Sequence, residues 1–187
     1  MLRLIALSLF AAMVPSSPPE ATAEDVPAPV PVYVTWRGAH SRLAEKRQYR
    51  ITTEKEWVDL WLRHVGHKPK GTQYDLWKNP ANVPHVDFGR CMIVAVFQGQ
   101  SWNSAGVTAE SVAEEGDCLR FRCDDDSYQT AGINGDGGGI RVTAYGMFVL
   151  PRSTKPLALE ENVQGLLGEL PVWKERQRFG PLGPARP

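Results

Sequence analysis

The feature that most constrains this fold is an unbroken apolar segment in the middle of the chain. Residues 91–97 read Cys-Met-Ile-Val-Ala-Val-Phe. A strand with one face in water alternates apolar and polar side chains, whereas this segment has no polar face. It therefore predicts a central strand that is covered on both faces.

A single amphipathic helix is predicted before this strand. Thr53 and Glu56 fit a capping box, in which each side chain accepts a hydrogen bond from the other residue's backbone amide. The residues behind it that share one helical face are Trp57, Leu60, Trp61 and Val65. Gly66 ends this pattern. We expect a helix over residues 53–65 whose tryptophans pack against a sheet.

The remaining segments predict short strands joined by turns. Fifteen Pro and seventeen Gly are too many for a helical bundle, because both residues interrupt helices. Further strands are predicted at 32–36, 48–51, 106–112, 119–123, 139–150 and 157–159, with a second short helix at 160–170. This pattern indicates a mainly β (α+β) fold, either an antiparallel β-sandwich or a curved sheet with one packed amphipathic helix.

The first 23 residues have the composition of a secretory signal peptide. Arg3 supplies an early cation, residues 4–14 are apolar except for Ser8, and Ala21 and Ala23 are small residues where a signal peptidase reads them. The apolar run is shorter than the roughly twenty residues that span a bilayer. We expect cleavage after Ala23 and a periplasmic or extracellular protein without a transmembrane segment; the alternative is an uncleaved anchor.

The mature chain is predicted to contain one domain. A Pro-rich tether is expected at 24–31, a single β-rich domain at 32–175 and a disordered tail at 176–187. The full chain carries 21 Lys+Arg and 21 Asp+Glu, so its formal net charge is zero. This balance excludes a basic nucleic-acid binder that depends on long-range attraction to phosphate.

The three cysteines of an exported chain permit one disulfide. Cys118 and Cys123 are five positions apart, so on one strand their side chains point to opposite faces and cannot bond to each other. Cys123 shares its face with apolar residues, which makes it the better partner for Cys91. The alternatives are therefore a Cys91–Cys123 disulfide and three reduced cysteines that act as small apolar residues.

The histidines give only weak support for a metal site. The residues that could supply ligands are His64, His67, His85 and Asp87. No recognised metal motif contains them, and a histidine near a helix C-terminus has a simpler role beside the helix dipole. A small metal-dependent hydrolase built on these side chains is an unfavoured alternative.

Two loops resemble known ligand-binding loops in composition only. Asp124–Asp126 with Asn134 and Asp136 are rich in oxygen ligands, but their spacing fails the EF-hand pattern. Gly132–Gly139 lacks the spacing of a phosphate-binding loop and is followed by a predicted strand rather than a helix. We predict no cofactor, no metal site and no catalytic residue.

One loop after the central strand is a candidate for protein binding. It contains Gln100, Ser101, Trp102 and Asn103, which place a tryptophan among small polar residues. Exposed aromatic residues on loops held by a rigid sheet often form recognition surfaces. We predict that these four residues contact a protein partner; in the alternative, Trp102 folds back over the open end of the sandwich.

Four segments follow one another in a characteristic order. A tryptophan helix at 56–61 precedes Val-Asp-Phe at 86–88 with its apolar strand, then a Gly/Ser loop, then Phe-Val-Leu-Pro-Arg at 148–152. This order resembles the C-terminal domain of the protease-complex subunit PrcB family over residues 50–155. The chain differs from that family in having Ala105-Gly106-Val107 in place of Gly-Gly-Tyr and no lipid-anchoring cysteine.

The resemblance implies an accessory domain that binds and stabilises an exported protease. Together with the absence of a catalytic motif, it predicts an exported, non-enzymatic interaction domain whose partner is an exported protein such as a protease. The alternative is a protease-inhibitor-like module that presents the loop around Trp102. The sequence does not indicate an oligomeric state.

Overall fold

The computed structural model describes residues 27–68, 74–130, 138–165 and 169–183. Within these ranges the chain forms eleven strands and one helix. The strands are β1 (Ala28–Pro29), β2 (Val34–Gly38), β3 (Lys46–Ile51), β4 (Cys91–Gln98), β5 (Ser101–Trp102), β6 (Ser104–Glu115), β7 (Cys118–Ser127), β8 (Arg141–Val142), β9 (Tyr145–Pro151), β10 (Leu157–Asn162) and β11 (Trp173–Phe179). The helix, α1, is Glu54–Val65.

The strands form two large sheets and a small ribbon. The outer sheet has the order β1-β6-β7-β10-β11 and the middle sheet has the order β2-β9-β4-β3, whereas β5 pairs with β8. Strand β10 runs parallel to β7, and the other pairs are antiparallel. The predicted mainly β fold with one packed helix is confirmed, and the two sheets form the sandwich.

Strand β4 runs through the middle layer, and its side chains alternate between two cores. Its even-numbered residues from Met92 to Val96 lie in the core between the sheets. Its odd-numbered residues from Ile93 to Phe97 lie in the core beneath α1. Side chains from 92 to 97 have no exposed surface. The protein therefore has three layers, outer sheet, middle sheet and helix, and the unbroken apolar run fits the layer covered on both sides.

The capping box and the tryptophan face of α1 form as the sequence predicts. Thr53 Oγ1 accepts from the Glu56 amide at 3.3 Å, and the Glu56 carboxylate accepts from the Thr53 amide at 3.2 Å. Trp57 is 1% exposed, and its indole N–H donates to the Pro84 carbonyl at 2.8 Å. Its ring stacks on Trp36 with centroids 5.4 Å apart. These contacts attach the helix to the middle sheet.

Both ends of the predicted domain need correction. Within the predicted tether, β1 pairs with β6, and Val30 packs against the core between the sheets. Residues 160–162 belong to β10 instead of the predicted second helix, and 176–179 belong to β11 instead of a disordered tail. Both segments become strands because β10 lies between β7 and β11 and pairs with each. The predicted signal peptide lies outside the described residues, and no helix in the described ranges is long and apolar enough to cross a membrane.

All three cysteines are free thiols, so the Cys91–Cys123 disulfide is not formed. Cys123 lies in the core between the two sheets, whereas Cys91 packs against the core beneath α1. The middle sheet therefore separates the two sulfur atoms. Burial raises the pKa of the Cys123 thiol far above its ordinary value, which keeps it protonated and unreactive.

Replacing Trp57 should reveal how strongly α1 is anchored. Trp57→Ala should lower the free energy of unfolding by about 3 to 5 kcal/mol, because it leaves a cavity and an unpaired Pro84 carbonyl. Urea denaturation would measure this change. Trp77→Ala is the matched control, since Trp77 is 95% exposed and should change stability little. A loss below about 1 kcal/mol for Trp57→Ala would contradict the anchoring role.

Candidate functional site

The predicted binding loop forms a ridge between two clefts at one end of the sandwich. We define the ridge as Gln100–Asn103, which follows β4 after the turn at Gly99. Gln100 lines a cleft of about 660 Å³, and Ser101 lines a second cleft of about 440 Å³. Gly99 is required here because its φ is +72° and a Cβ would lie 2.6 Å from the Lys46 backbone nitrogen.

Asn103 fixes the backbone of the ridge. Its φ is +53°, a left-handed conformation that asparagine tolerates better than most residues. Its amide donates to the Ile140 carbonyl at 2.9 Å, and its carbonyl accepts from the Tyr128 amide at 2.8 Å. Its side-chain oxygen accepts from the Ile140 amide at 2.7 Å. Asn103 therefore connects the ridge to two neighbouring segments.

Trp102 stands on this fixed backbone and is 54% exposed. It belongs to neither hydrophobic core. The Arg141 guanidinium lies over the indole ring, 5.0 Å from its centroid. The other close neighbour is Gly139, where a Cβ would lie 2.9 Å from the ring. The ring is thus held in place while half of its surface faces solvent.

The larger cleft is basic, and we call it the basic cleft. Its polar lining includes His40, Ser41, Arg42, His64, Gln100 and Arg141. No Asp or Glu among the described residues lines it. The stem of Arg42 packs on Gly66, where a Cβ would lie 2.9 Å from the arginine Cγ. Gly66 ends α1 with a φ of +74°, so the helix end itself positions this arginine.

Ser41 and His64 form a buried pair at the base of the basic cleft. Ser41 Oγ lies 3.0 Å from His64 Nδ1 and accepts from the Leu43 amide at 3.0 Å. The pair ties the loop before β3 to the end of α1, as does the bond from the Arg42 amide to the His64 carbonyl. The sequence contains no signal for Ser41, because its partner His64 is 23 positions away and no local motif includes it.

The Ser41–His64 pair is poorly suited to nucleophilic catalysis. Burial lowers the pKa of His64 to about 4, so the ring is neutral and a weak base at neutral pH. No side chain in the described ranges hydrogen-bonds to His64 Nε2, so the third group of a triad is missing there. Ser41 is 8% exposed and its backbone is bonded to Thr143. These contacts support a structural role for the pair.

The smaller cleft holds a buried carboxylate that pairs with two cations, and we call it the ion-paired cleft. Glu161 is 5% exposed and accepts from Lys46 at 2.8 Å and from Arg176 at 3.1 Å. Asp125 accepts a short hydrogen bond from Ser104, and burial raises the pKa of its carboxyl. The charged groups of this cleft are therefore engaged within the protein.

The residues considered above as possible metal ligands do not form a metal-binding group in the described parts of the chain. His64 is paired with Ser41, and the His67 ring contacts Tyr74 with centroids 5.9 Å apart. His85 lines a small cleft beside Trp57, under the helix. The histidines are thus distributed along α1 instead of meeting at one point.

The three consecutive acids lie in β7, and each has its own protein partner. Asp124 accepts from Asn162, Asp125 accepts from Ser104, and Asp126 pairs with Arg37 at 2.8 Å. Alternation along the strand directs the Asp125 side chain to the opposite face from Asp124 and Asp126. The other parts of the two loops considered above, Asn134 with Asp136 and most of Gly132–Gly139, lie outside the described residues.

Comparison with protein-family models, curated proteins and solved structures found no match.

The buried His64 should make stability depend on pH below neutrality. Its pKa falls from 6.5 to about 4 on folding, so the unfolded chain binds a proton first. The stability contribution is complete above about pH 6.5 and is lost as the pH falls towards 4, by roughly 1 to 3 kcal/mol. Urea denaturation at pH 7, 5.5 and 4 would measure it.

The variant His64→Phe provides the reference for this pH dependence. It lacks the titrating group, so its loss of stability between pH 7 and 4 should be smaller than that of the wild type. The variant His67→Gln should retain the wild-type slope. Equal slopes for the wild type and His64→Phe would show that the His64 ring is not buried in its neutral form.

Proposed function

We propose that this protein is an exported, non-enzymatic interaction domain that binds a protein partner through the ridge. One observation carries the proposal: Trp102 is 54% exposed while its neighbours fix its backbone. A half-exposed tryptophan normally gains free energy when a partner covers it. A loop that is already ordered also loses little conformational entropy on binding.

The composition of the ridge supports binding rather than catalysis. Trp and Arg are the residues most often found at the energetic centre of protein interfaces, and Trp102 lies beside Arg141. The clefts on either side contain no arranged nucleophile and base with a third orienting group among the described residues. Binding through exposed side chains is therefore the function that these residues favour.

The resemblance to the PrcB family supports an exported protease as the partner. Three of the four segments that carry this resemblance form α1, β4 and β9, which are parts of the scaffold, and the fourth is the Gly/Ser loop that contains the ridge. The departure from the family, at Ala105-Gly106-Val107, lies in β6 directly after the ridge. We therefore propose a shared scaffold role with partner contacts that are particular to this chain. The signal-peptide composition of residues 1–23 supports export.

The ridge is less suited to a protease-inhibitor-like role. A substrate-like inhibitor presents extended backbone to the protease cleft, which leaves its N–H and C=O groups available. Here Ser101 and Trp102 pair with Val142 and Arg141 of β8. An interaction domain should leave the turnover of a panel of proteases unchanged, whereas stoichiometric loss of turnover would favour the inhibitor.

Replacing Trp102 should remove the partner without unfolding the protein. The immobilised mature chain should capture a partner from periplasmic extract, and Trp102→Ala should reduce capture at least about tenfold, as for a tryptophan at the centre of an interface. Its thermal unfolding should stay close to wild type, because Trp102 lies outside both cores.

The control for this experiment is a second exposed tryptophan. Trp77 is 95% exposed and lies in the loop between α1 and β4, far along the chain from the ridge. Trp77→Ala should capture the same partner as the wild type. Loss of capture with Trp77→Ala and not with Trp102→Ala would show that the partner does not bind through the ridge.

A further inference from the structure

We propose that the basic cleft binds carboxylate groups of an acidic peptide segment in the partner. This inference rests on the proposed function and names the chemistry of the partner. Arg42 and Arg141 would provide the charge, Gln100 would provide an amide donor, and Trp102 would cover an apolar residue beside the acidic one. Arg42, Gln100 and Arg141 line the cleft, and Trp102 contacts Arg141.

The two arginines of the basic cleft have no carboxylate partner among the described residues, in contrast to Arg37 and to the cations of the ion-paired cleft. Arg37 pairs with Asp126 at 2.8 Å, and Lys46 and Arg176 both pair with Glu161. By contrast, neither Arg42 nor Arg141 makes an ion pair within the described ranges. Two uncompensated guanidinium groups that line one concave surface attract an anion from outside the protein.

Both arginines are positioned before any ligand arrives. The stem of Arg42 packs on Gly66, and its backbone amide is bonded to the His64 carbonyl at 2.9 Å. Arg141 places its guanidinium carbon 5.0 Å from the centroid of the Trp102 ring, and the N–H edge of the guanidinium makes no ion pair within the described ranges. A carboxylate meets such an edge with two parallel hydrogen bonds.

The surroundings favour a carboxylate over a phosphate. Val65, the last residue of α1, lines the cleft, so the helix presents its C-terminal end there. That end carries a partial negative charge of about half an elementary charge, which opposes a dianion more than a monoanion. Phosphate sites commonly use the opposite end of a helix. The zero net charge of the chain also argues against a polyanion.

The apolar part of the ligand follows from the position of Trp102. Its ring is half exposed, and its centroid lies 5.0 Å from the guanidinium carbon of Arg141, which lines the cleft. A peptide whose carboxylate reaches Arg141 therefore passes beside the indole. An apolar residue adjacent to the acidic one would cover the exposed half of the ring. We expect the preferred segment to combine Glu or Asp with a neighbouring large apolar residue.

A pair of designed peptides tests this inference directly. One is an acetylated and amidated decapeptide with three Glu beside Leu residues, and the other has Gln in place of each Glu. Binding is followed by NMR through the side-chain N–H signals of Arg42, Arg141, Gln100 and Trp102. The Glu peptide should shift these signals in a saturable manner, and the Gln peptide should leave them in place. Binding should weaken as salt is added.

Variants of the cleft then identify the groups responsible. Arg42→Gln and Arg141→Gln should each weaken binding of the Glu peptide about five- to tenfold, the range for a partly exposed charged hydrogen bond. Arg90→Gln is the matched control, because Arg90 is 89% exposed and precedes β4 at the end opposite the ridge. It should bind like the wild type.

Three results of the peptide and phosphate experiments would overturn the inference. These are equal binding of both peptides, an equal loss of affinity in Arg90→Gln, and binding of inorganic phosphate at these signals without binding of the Glu peptide. The partner capture described above separates this inference from the proposed function. If Trp102→Ala loses the partner while Arg42→Gln and Arg141→Gln retain it, the proposed interaction domain is supported. The proposed carboxylate site in the basic cleft is then contradicted.

Discussion

The burial of β4 on both faces is the constraint on which the rest of the structure depends. A strand with no polar face needs a layer on each side, and here the outer sheet and α1 supply them. Each layer in turn is held by contacts with the middle sheet, such as those of Trp57 with Trp36. The three-layer arrangement is therefore the direct consequence of seven consecutive apolar residues.

The same constraint places the ridge and its two clefts. Because the ridge follows β4, it continues the middle layer beyond the sheet. The basic cleft lies on its helix side, where His64 and Val65 contribute to the wall. The ion-paired cleft lies on its outer-sheet side, where Cys123 and Glu161 contribute. A loop after the central strand of a three-layer protein thus has two separate clefts beside it.

The two clefts have opposite electrostatic designs. In the ion-paired cleft, the buried Glu161 carboxylate contacts Lys46 and Arg176. These cations are needed there because burying an unpaired charge costs free energy. In the basic cleft, Arg42 and Arg141 are exposed, so water solvates them and no internal partner is needed for stability. Because folding stability does not depend on an internal partner for Arg42 or Arg141, both guanidinium groups are available to a ligand.

The elements that the sequence predicts well are those with a local cause. Strand β4 follows from its composition, and α1 follows from the Thr53–Glu56 capping box and one apolar face. Strand β11 was missed because its Lys-Glu-Arg-Gln-Arg centre has no apolar face, and it becomes a strand only by pairing with β10. The parallel pairing of β7 with β10 also has no local signal.

The site shows the same division between local and distant causes. The ridge residues were predicted from a tryptophan among small polar residues after a strong strand. The basic cleft was not predicted, because its lining comes from the β2–β3 loop, the end of α1, the ridge and β8. Only the folded chain brings Arg42 and Arg141 to one surface, and only its contacts reveal that neither has a carboxylate partner there.

Amide hydrogen exchange at Asn103 and Ile140 tests most directly whether the ridge is held before a partner binds. The Asn103 amide donates to the Ile140 carbonyl at 2.9 Å, and the Ile140 amide donates to the Asn103 side-chain oxygen at 2.7 Å. Their exchange should be about a hundredfold or more slower than in an unstructured peptide, as for bonds that open only by local unfolding. Exchange of both amides at the rate of an unstructured peptide would contradict a preformed binding ridge.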